Sequence, residues 1–308
     1  VGETSVGGGW RRVAGLFLLT LALSVTRPAV LILVPFVLLG LTLRPRTPKV
    51  VFLAILAFVV VSTGEPEGIW WLERGWTILV GGWFLALTLR WPSSAFFPRA
   101  LGAVTGAFAA ASLVFLVRPG SWPIVEWLVV DRLRRGVAEA VSLLLTVGGE
   151  GFVPGGIVEA AYRTVEGQGT VFPALLGLSS VAGLGVAWWT YVRLTEGRDD
   201  GVGPLPRFRF HDALIWVFIG GLTMVLVGSS GVLERVGTNA VVFMGGLFAL
   251  RGLAVVLFVS GGLSVLGSAF LALAFVFVAP MLLAGAVVVG LGDTWLDLRE
   301  RARATGGR

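Results

Sequence analysis

"NAVVFMGGLFALRGLAVVLFV", Asn239–Val259, is the stretch on which the fold turns. After the opening Asn239 it is apolar except for Arg251 near its middle. A helix of this length reaches about 30 Å, the thickness of a bilayer's hydrocarbon core. An arginine at the centre of such a span costs roughly 2.5–3.5 kcal/mol on insertion scales. The stretch therefore poses two questions: whether the chain lives in a membrane, and what offsets the cost of Arg251.

Composition answers the first. The chain of 308 residues is 56% hydrophobic and 14% charged, with a mean hydropathy of +0.90. That leaves too little charge to cover the surface of a soluble domain of this size. The apolar residues come in unbroken runs, such as 50–62 and 264–279, rather than in the alternating segments of a β-barrel. Helices are the other way to satisfy backbone groups in lipid. The expected fold is an all-α, polytopic transmembrane bundle, one integral membrane domain over residues 1–308.

Apolar segments lie at about 13–25, 28–43, 50–63, 76–90, 100–117, 170–192, 213–229, 238–259, 263–279 and 281–292. Several are short for a bilayer. The stretches 13–43 and 263–292 read either as one long helix broken at Pro28 or Pro280, or as a hairpin of short helices. Eight to ten spans are expected. "GWRRVAGLFLLTLALSV" (9–25) has the look of a signal peptide, but it lacks a small-residue cleavage site and is read as a first span. The short loops with Arg11, Arg12, Arg44, Arg46, Lys49, Arg90 and Arg99 fall on one side, which places both termini in the cytoplasm.

Between the spans, 118–169 differs in character. Trp127, Val130, Val137, Val141 and Leu144 recur at helical spacing among charges, so an amphipathic helix on the outer surface is expected, with a shorter one after a Pro-Gly-Gly turn. "TEGRDDGVGPLPRFRFHD" (195–212) is a polar loop, read as part of a cytoplasmic segment 194–212 that divides the spans into two halves. Residues 293–308 read as an amphipathic cytoplasmic tail. Small residues recur four apart at Gly102, Gly106 and Ala110, at Ala103, Ala107 and Ala111, at Ser264 and Ser268, and at Ala286 and Gly290. Such rows let helices approach closely, within the chain or against a partner subunit.

The chemistry available is narrow. The net charge is +6 and the pI near 11.0, but the arginines flank apolar runs as membrane anchors do, so no nucleic-acid partner is expected. The absence of cysteine excludes disulfides and thiolate sites. His211 stands alone, and no metal, cofactor or enzyme motif is apparent. Within the spans, Arg251 must face protein or water. It either contacts a polar ligand, with Asn239 lining the same site, or bonds helix carbonyls and snorkels inward. Neutral candidates are Ser179, Ser180, Thr190, Thr223 and Ser268. In the tail "GLGDTWLDLRERAR" (290–303), Asp293 follows a glycine break and reads as a helix cap, Asp297 and Arg301 are spaced to pair, and Trp295 suits the membrane interface.

The run 239–259 together with "GLGDTWLDLRER" resembles the YybS-like family of bacterial membrane proteins. The matching residues are Arg251, Gly252, Leu253 and Ala254, then Gly290, Asp293, Asp297 and Arg299, with Pro173, Tyr191 and Arg193 in an earlier span. That family commonly has glutamine where Arg251 stands. The resemblance implies remote kinship with the substrate-binding subunits of energy-coupling-factor vitamin transporters and with the rod-shape protein MreD. The expected function is binding or translocation of a small polar ligand, with a partner coupling subunit. The alternative is a scaffold that organises an envelope complex through its seams and through Asp293, Trp295, Asp297 and Arg299.

Overall fold

A computed structural model describes residues 8–66, 68–148, 155–198, 201–228, 231–261 and 265–306. Among these the regular structure is helical throughout, with no strand. The helices are α1 (Gly8–Leu23), α2 (Pro28–Thr42), α3 (Pro48–Ser62), α4 (Gly68–Arg90), α5 (Phe96–Val117), α6 (Ser121–Gly148), α7 (Gly155–Glu196), α8 (Ile215–Val227), α9 (Gly231–Val259), α10 (Val265–Leu296) and α11 (Leu298–Gly306). Short 3-10 turns occupy Leu205–Arg207 and Asp212–Leu214. Four helical stretches are long and apolar enough to cross a membrane: Phe96–Val117, Val158–Glu196, Gly231–Val259 and Val278–Leu296. Four shorter apolar helices accompany them. Large apolar side chains stand outward, including Phe52, Leu116, Val117, Leu226 and Val232. An apolar exterior of this kind suits lipid as the surrounding solvent.

The chain divides into two compact units, residues 1–202 and 203–308. The boundary falls inside the polar loop that the sequence marks as a divider.

In the first unit, α7 is the hub, with α1, α2, α5 and α6 packed along it. Val181, Ala182, Leu184 and Ala187 on α7 are buried. Gly183 allows the backbone of α2 to come close: a Cβ there would lie 2.9 Å from the Leu31 carbonyl oxygen. The sequence suggested a separate surface helix after the Pro-Gly-Gly turn. Instead the helix that starts at Gly155 runs unbroken into the span, because nothing between 157 and 172 stops it; Pro173 is accommodated inside α7. At 1.5 Å per residue α7 is ~63 Å long, about twice the thickness of a hydrocarbon core.

Of the two readings of 13–43, the structure takes the pair of helices. Pro28 opens α2 at its first position, where its missing N–H costs nothing. Two buried charges on α4 then serve helix ends. Glu73 accepts the Arg27 N–H at the start of α2 (3.0 Å), and Arg74 donates to the Val61 carbonyl at the end of α3 (2.9 Å from Nε). An anion at an N-terminus and a cation at a C-terminus each complement the helix dipole. Arg74 also lies 3.8 Å from the Trp70 ring centroid. These two charges lie just before the apolar run at 76–90, and the sequence reading passed over them.

In the second unit, α9 packs on both α8 and α10. Over its described part, from Val265, the stretch 263–292 takes the other alternative, one long helix, α10, with non-helical backbone at Val278 (φ −131°, ψ 29°). Pro280 supplies the cause, since it lacks a donor and its ring crowds the preceding turn.

Candidate functional site

Arg251 is 1% exposed, and its cost is offset by two carboxylates. Its Nε donates to Asp293 Oδ2 at 2.9 Å and its Nη1 to Asp212 Oδ1 at 2.6 Å. Nη2 reaches the Asp293 carbonyl oxygen at 3.3 Å. The guanidinium carbon lies 5.4 Å from the Phe210 ring centroid. Asp293 is fully buried and also accepts from Arg299 Nη2 at 2.7 Å. Arg299 in turn donates to the carbonyls of Pro206 (3.1 Å) and Phe208 (3.0 Å). One carboxylate therefore joins α9, α10, the tail helix α11 and the polar loop. Charge-assisted bonds of this kind are the strong ones, and they hold best where water is excluded.

Two glycines allow this arrangement. A Cβ on Gly252 would collide with the Ala286 carbonyl oxygen, and one on Gly290 with that of Phe248. The backbones of α9 and α10 touch there, and the contact brings Arg251 on one helix against Asp293 on the other. The small-residue pair Ala286 and Gly290 is thus spent on internal packing. Gly221 and Gly237 make a second close approach, between α8 and α9.

The other residues marked in the sequence lie as follows. Asn239 sits three turns before Arg251 on the same helix and donates to the Arg235 carbonyl at 2.9 Å, so the two are not brought together. Asp293 does not cap a new helix; α10 continues through it to Leu296, because Gly290 serves the crossing rather than a break. The break comes at Asp297, which has a positive φ of 42° and whose side chain pairs with Arg209. Burial pulls the Arg209 pKa down, but the Asp297 hydrogen bond and the nearby Asp293 and Asp212 outweigh it, and the value is raised. Trp295 is exposed, as an interface residue would be. On α5, Ala103 and Ala107 are fully buried, Ala110 and Ala111 partly. A Cβ on Gly102 would meet Leu87, and one on Gly106 would meet Trp83, both on α4. This row too packs within the chain. Ser179 and Ser180 donate to the Leu176 carbonyl, Thr190 to Val186 and Thr223 to Ile219, each within its own helix. Ser264 lies outside the described residues. His211 Nδ1 accepts the Ala213 N–H and starts the turn at 212.

The first unit holds a cavity of about 740 Å³ that the sequence reading did not find. Arg99, Thr88, Trp188, Tyr191, Arg44 and Arg198 are among its walls. Arg99 is 6% exposed and, among the described residues, has no carboxylate partner. Its Nη1 donates to Thr88 Oγ1 (3.2 Å) and its Nε weakly to the Ala95 carbonyl (3.4 Å). The guanidinium carbon lies 4.7 Å from the Trp188 ring centroid. Its Nη2 makes no hydrogen bond among the described residues. The Tyr191 hydroxyl is also buried without a hydrogen-bond partner. Ala95 and Phe96 bring the N-terminus of α5 to the same wall, and no side chain caps it. The cavity thus gathers a buried cation, a helix N-terminus and unused donors, all of which favour an anion. Glu196 is the acidic residue of the lining, and it pairs with Arg198 at 3.3 Å.

A signal for this site was present. In "FFPRA" (96–100), Arg99 stands in the opening turn of its helix, where a cation opposes the dipole. The same residue also reads as a membrane anchor, which hides it among the loop arginines. Among the described residues no three His, Asp or Glu side chains gather as metal ligands would. Compared with known proteins, the chain matches no family model, no curated protein and no solved structure.

Proposed function

We propose that this is a membrane protein that binds a small polar ligand bearing an anionic group, in the cavity walled by Arg99 and Tyr191. The observation that carries the reading is Arg99 itself. A buried guanidinium without a counter-ion is unfavourable in the empty state, and a ligand anion would relieve it. A cavity of about 740 Å³ is within the range of small-molecule sites. The aromatic face of Trp188 supplies the apolar side of such a site.

In this reading Arg44, Arg99 and Arg198 stand on the cytoplasmic side of a bacterial inner membrane, as the positive-inside rule supports, and the ligand enters from, or leaves to, the cytoplasm. Passage across the membrane with a coupling subunit is a further step of the same reading. Kinship with the YybS-like family belongs to the proposal as well. Its support is that Arg251 and Asp293, from the two halves of that resemblance, meet in one ion pair; the comparisons above do not carry it.

The test is thermal unfolding of the purified full chain with small carboxylates, phosphorylated metabolites, nucleobases and vitamins. A ligand at a hundred times its Kd stabilises by about 2.7 kcal/mol. Stabilisation by an anionic compound, lost in Arg99→Gln, is the expected result. Stabilisation that survives Arg99→Gln but is lost in Arg251→Leu would move the site to Arg251. No stabilisation by any compound would leave the scaffold reading in its place.

A further inference from the structure

The second unit carries a smaller cleft of about 240 Å³ between the polar loop and the tail helix, lined by Pro206, Arg207, Arg209, Arg299, Glu300 and Arg303. We infer that this cleft is a seat for a phosphate group, and that in the membrane the phosphate is that of an anionic lipid headgroup. It is separate from the Arg99 cavity and does not rest on the function proposed above.

Four arginines face one glutamate in the lining. Two of the four are committed elsewhere, Arg209 to Asp297 and Arg299 to Asp293. Arg207 and Arg303 are exposed and have no carboxylate partner among the described residues. Arg299 gives the site a fixed floor: it is 4% exposed, anchored on two backbone carbonyls, and its Nε is buried without a hydrogen-bond partner. A buried, anchored guanidinium beside two exposed ones in the same lining is an arrangement that recognises phosphate oxygens.

The lipid source follows from what adjoins the cleft. Arg303 lies 5.1 Å from the Phe258 ring centroid. The same last turns of α9 expose Val256 and Val259. An acyl chain can lie on this apolar surface while its phosphate sits among the arginines. Basic pockets at the cytoplasmic ends of membrane helices bind anionic headgroups in this way. Free inorganic phosphate shares the headgroup's chemistry but gains nothing from the apolar flank.

The experiment uses the full chain in a neutral detergent, titrated with short-chain phosphatidylglycerol, short-chain phosphatidylcholine or inorganic phosphate, with bound adducts counted by native mass spectrometry. Arg207→Gln/Arg303→Gln removes the two exposed arginines that have no carboxylate partner and leaves the buried network intact. We expect phosphatidylglycerol to bind in preference to phosphatidylcholine, and the double variant to weaken it roughly 30-fold, at about a factor of five per arginine near an anionic group. Phosphate that binds as tightly as phosphatidylglycerol, and is lost in the double variant, would keep the phosphate seat and reject the lipid source. Equal binding of both lipids, or binding unchanged in the double variant with the protein folded, would overturn the inference.

Discussion

Arg251 and Arg99 are both more than nine-tenths buried, and their surroundings treat them in opposite ways. Arg251 lies against Asp293 and Asp212, and its partner Asp293 is held again by Arg299. Arg99 has a hydroxyl, a carbonyl and an indole face, but no carboxylate, and it borders open volume. A buried charge whose partners belong to the chain holds the fold together. A buried charge whose partner is missing is a place for something that arrives later. The arginine that stands out in the sequence has its partners inside the chain, and the one that reads as an anchor borders the candidate site.

The largest effect should come from Asp293→Ala. It leaves buried Arg299 without a carboxylate and Arg251 with Asp212 alone, and breaking a single buried pair already costs about 3–5 kcal/mol. Thermal unfolding should show the second unit lost well before the first; unfolding indistinguishable from wild type would dissolve the contrast drawn here. Gly252→Ala comes next. Its methyl has no room beside the Ala286 carbonyl, so the crossing must open, at about 1–3 kcal/mol as for other overpacked sites. The melting temperature should fall, and a variant as stable as wild type would mean that the helices are not so close.

Arg99→Gln should barely move stability, by about 1 kcal/mol or less in either direction. Loss of its contact with Trp188 is opposed by removal of an uncompensated charge. The same variant should abolish ligand stabilisation, and a large loss of stability instead would assign Arg99 a structural role. Smallest of all is Asp297→Asn, which breaks a half-exposed ion pair with Arg209 and should cost about 0.2–1 kcal/mol. Raising the salt concentration should shrink that difference further; a loss of several kcal/mol would place Asp297 within the buried network.

Much of the fold was legible because lipid permits so few choices. Over the described residues each apolar run from 13–25 to 281–292 coincides with a helix, and Pro28, Pro48 and Pro280 mark two starts and a kink as their missing N–H groups require. Where the reading went astray, a contact distant in sequence had decided the matter. Asp293 looked like a cap because Gly290 and Gly292 flank it, but Gly290 faces the α9 backbone rather than a turn. Glu73 and Arg74 were passed over because their partners, the ends of α2 and α3, lie up to 46 residues away. Arg99 was assigned to the anchors because an anchor and a cavity wall carry the same side chain.

By itself the sequence determined that the chain is helical and belongs in a membrane, since hydropathy is summed locally and an unpaired backbone cannot survive in hydrocarbon. It also determined that Arg251 needs shelter. Which groups shelter it, and which arginine is left waiting for a partner, were settled only when helices far apart in the chain came together, because the cost of a buried charge depends on what lies within a few ångströms of it.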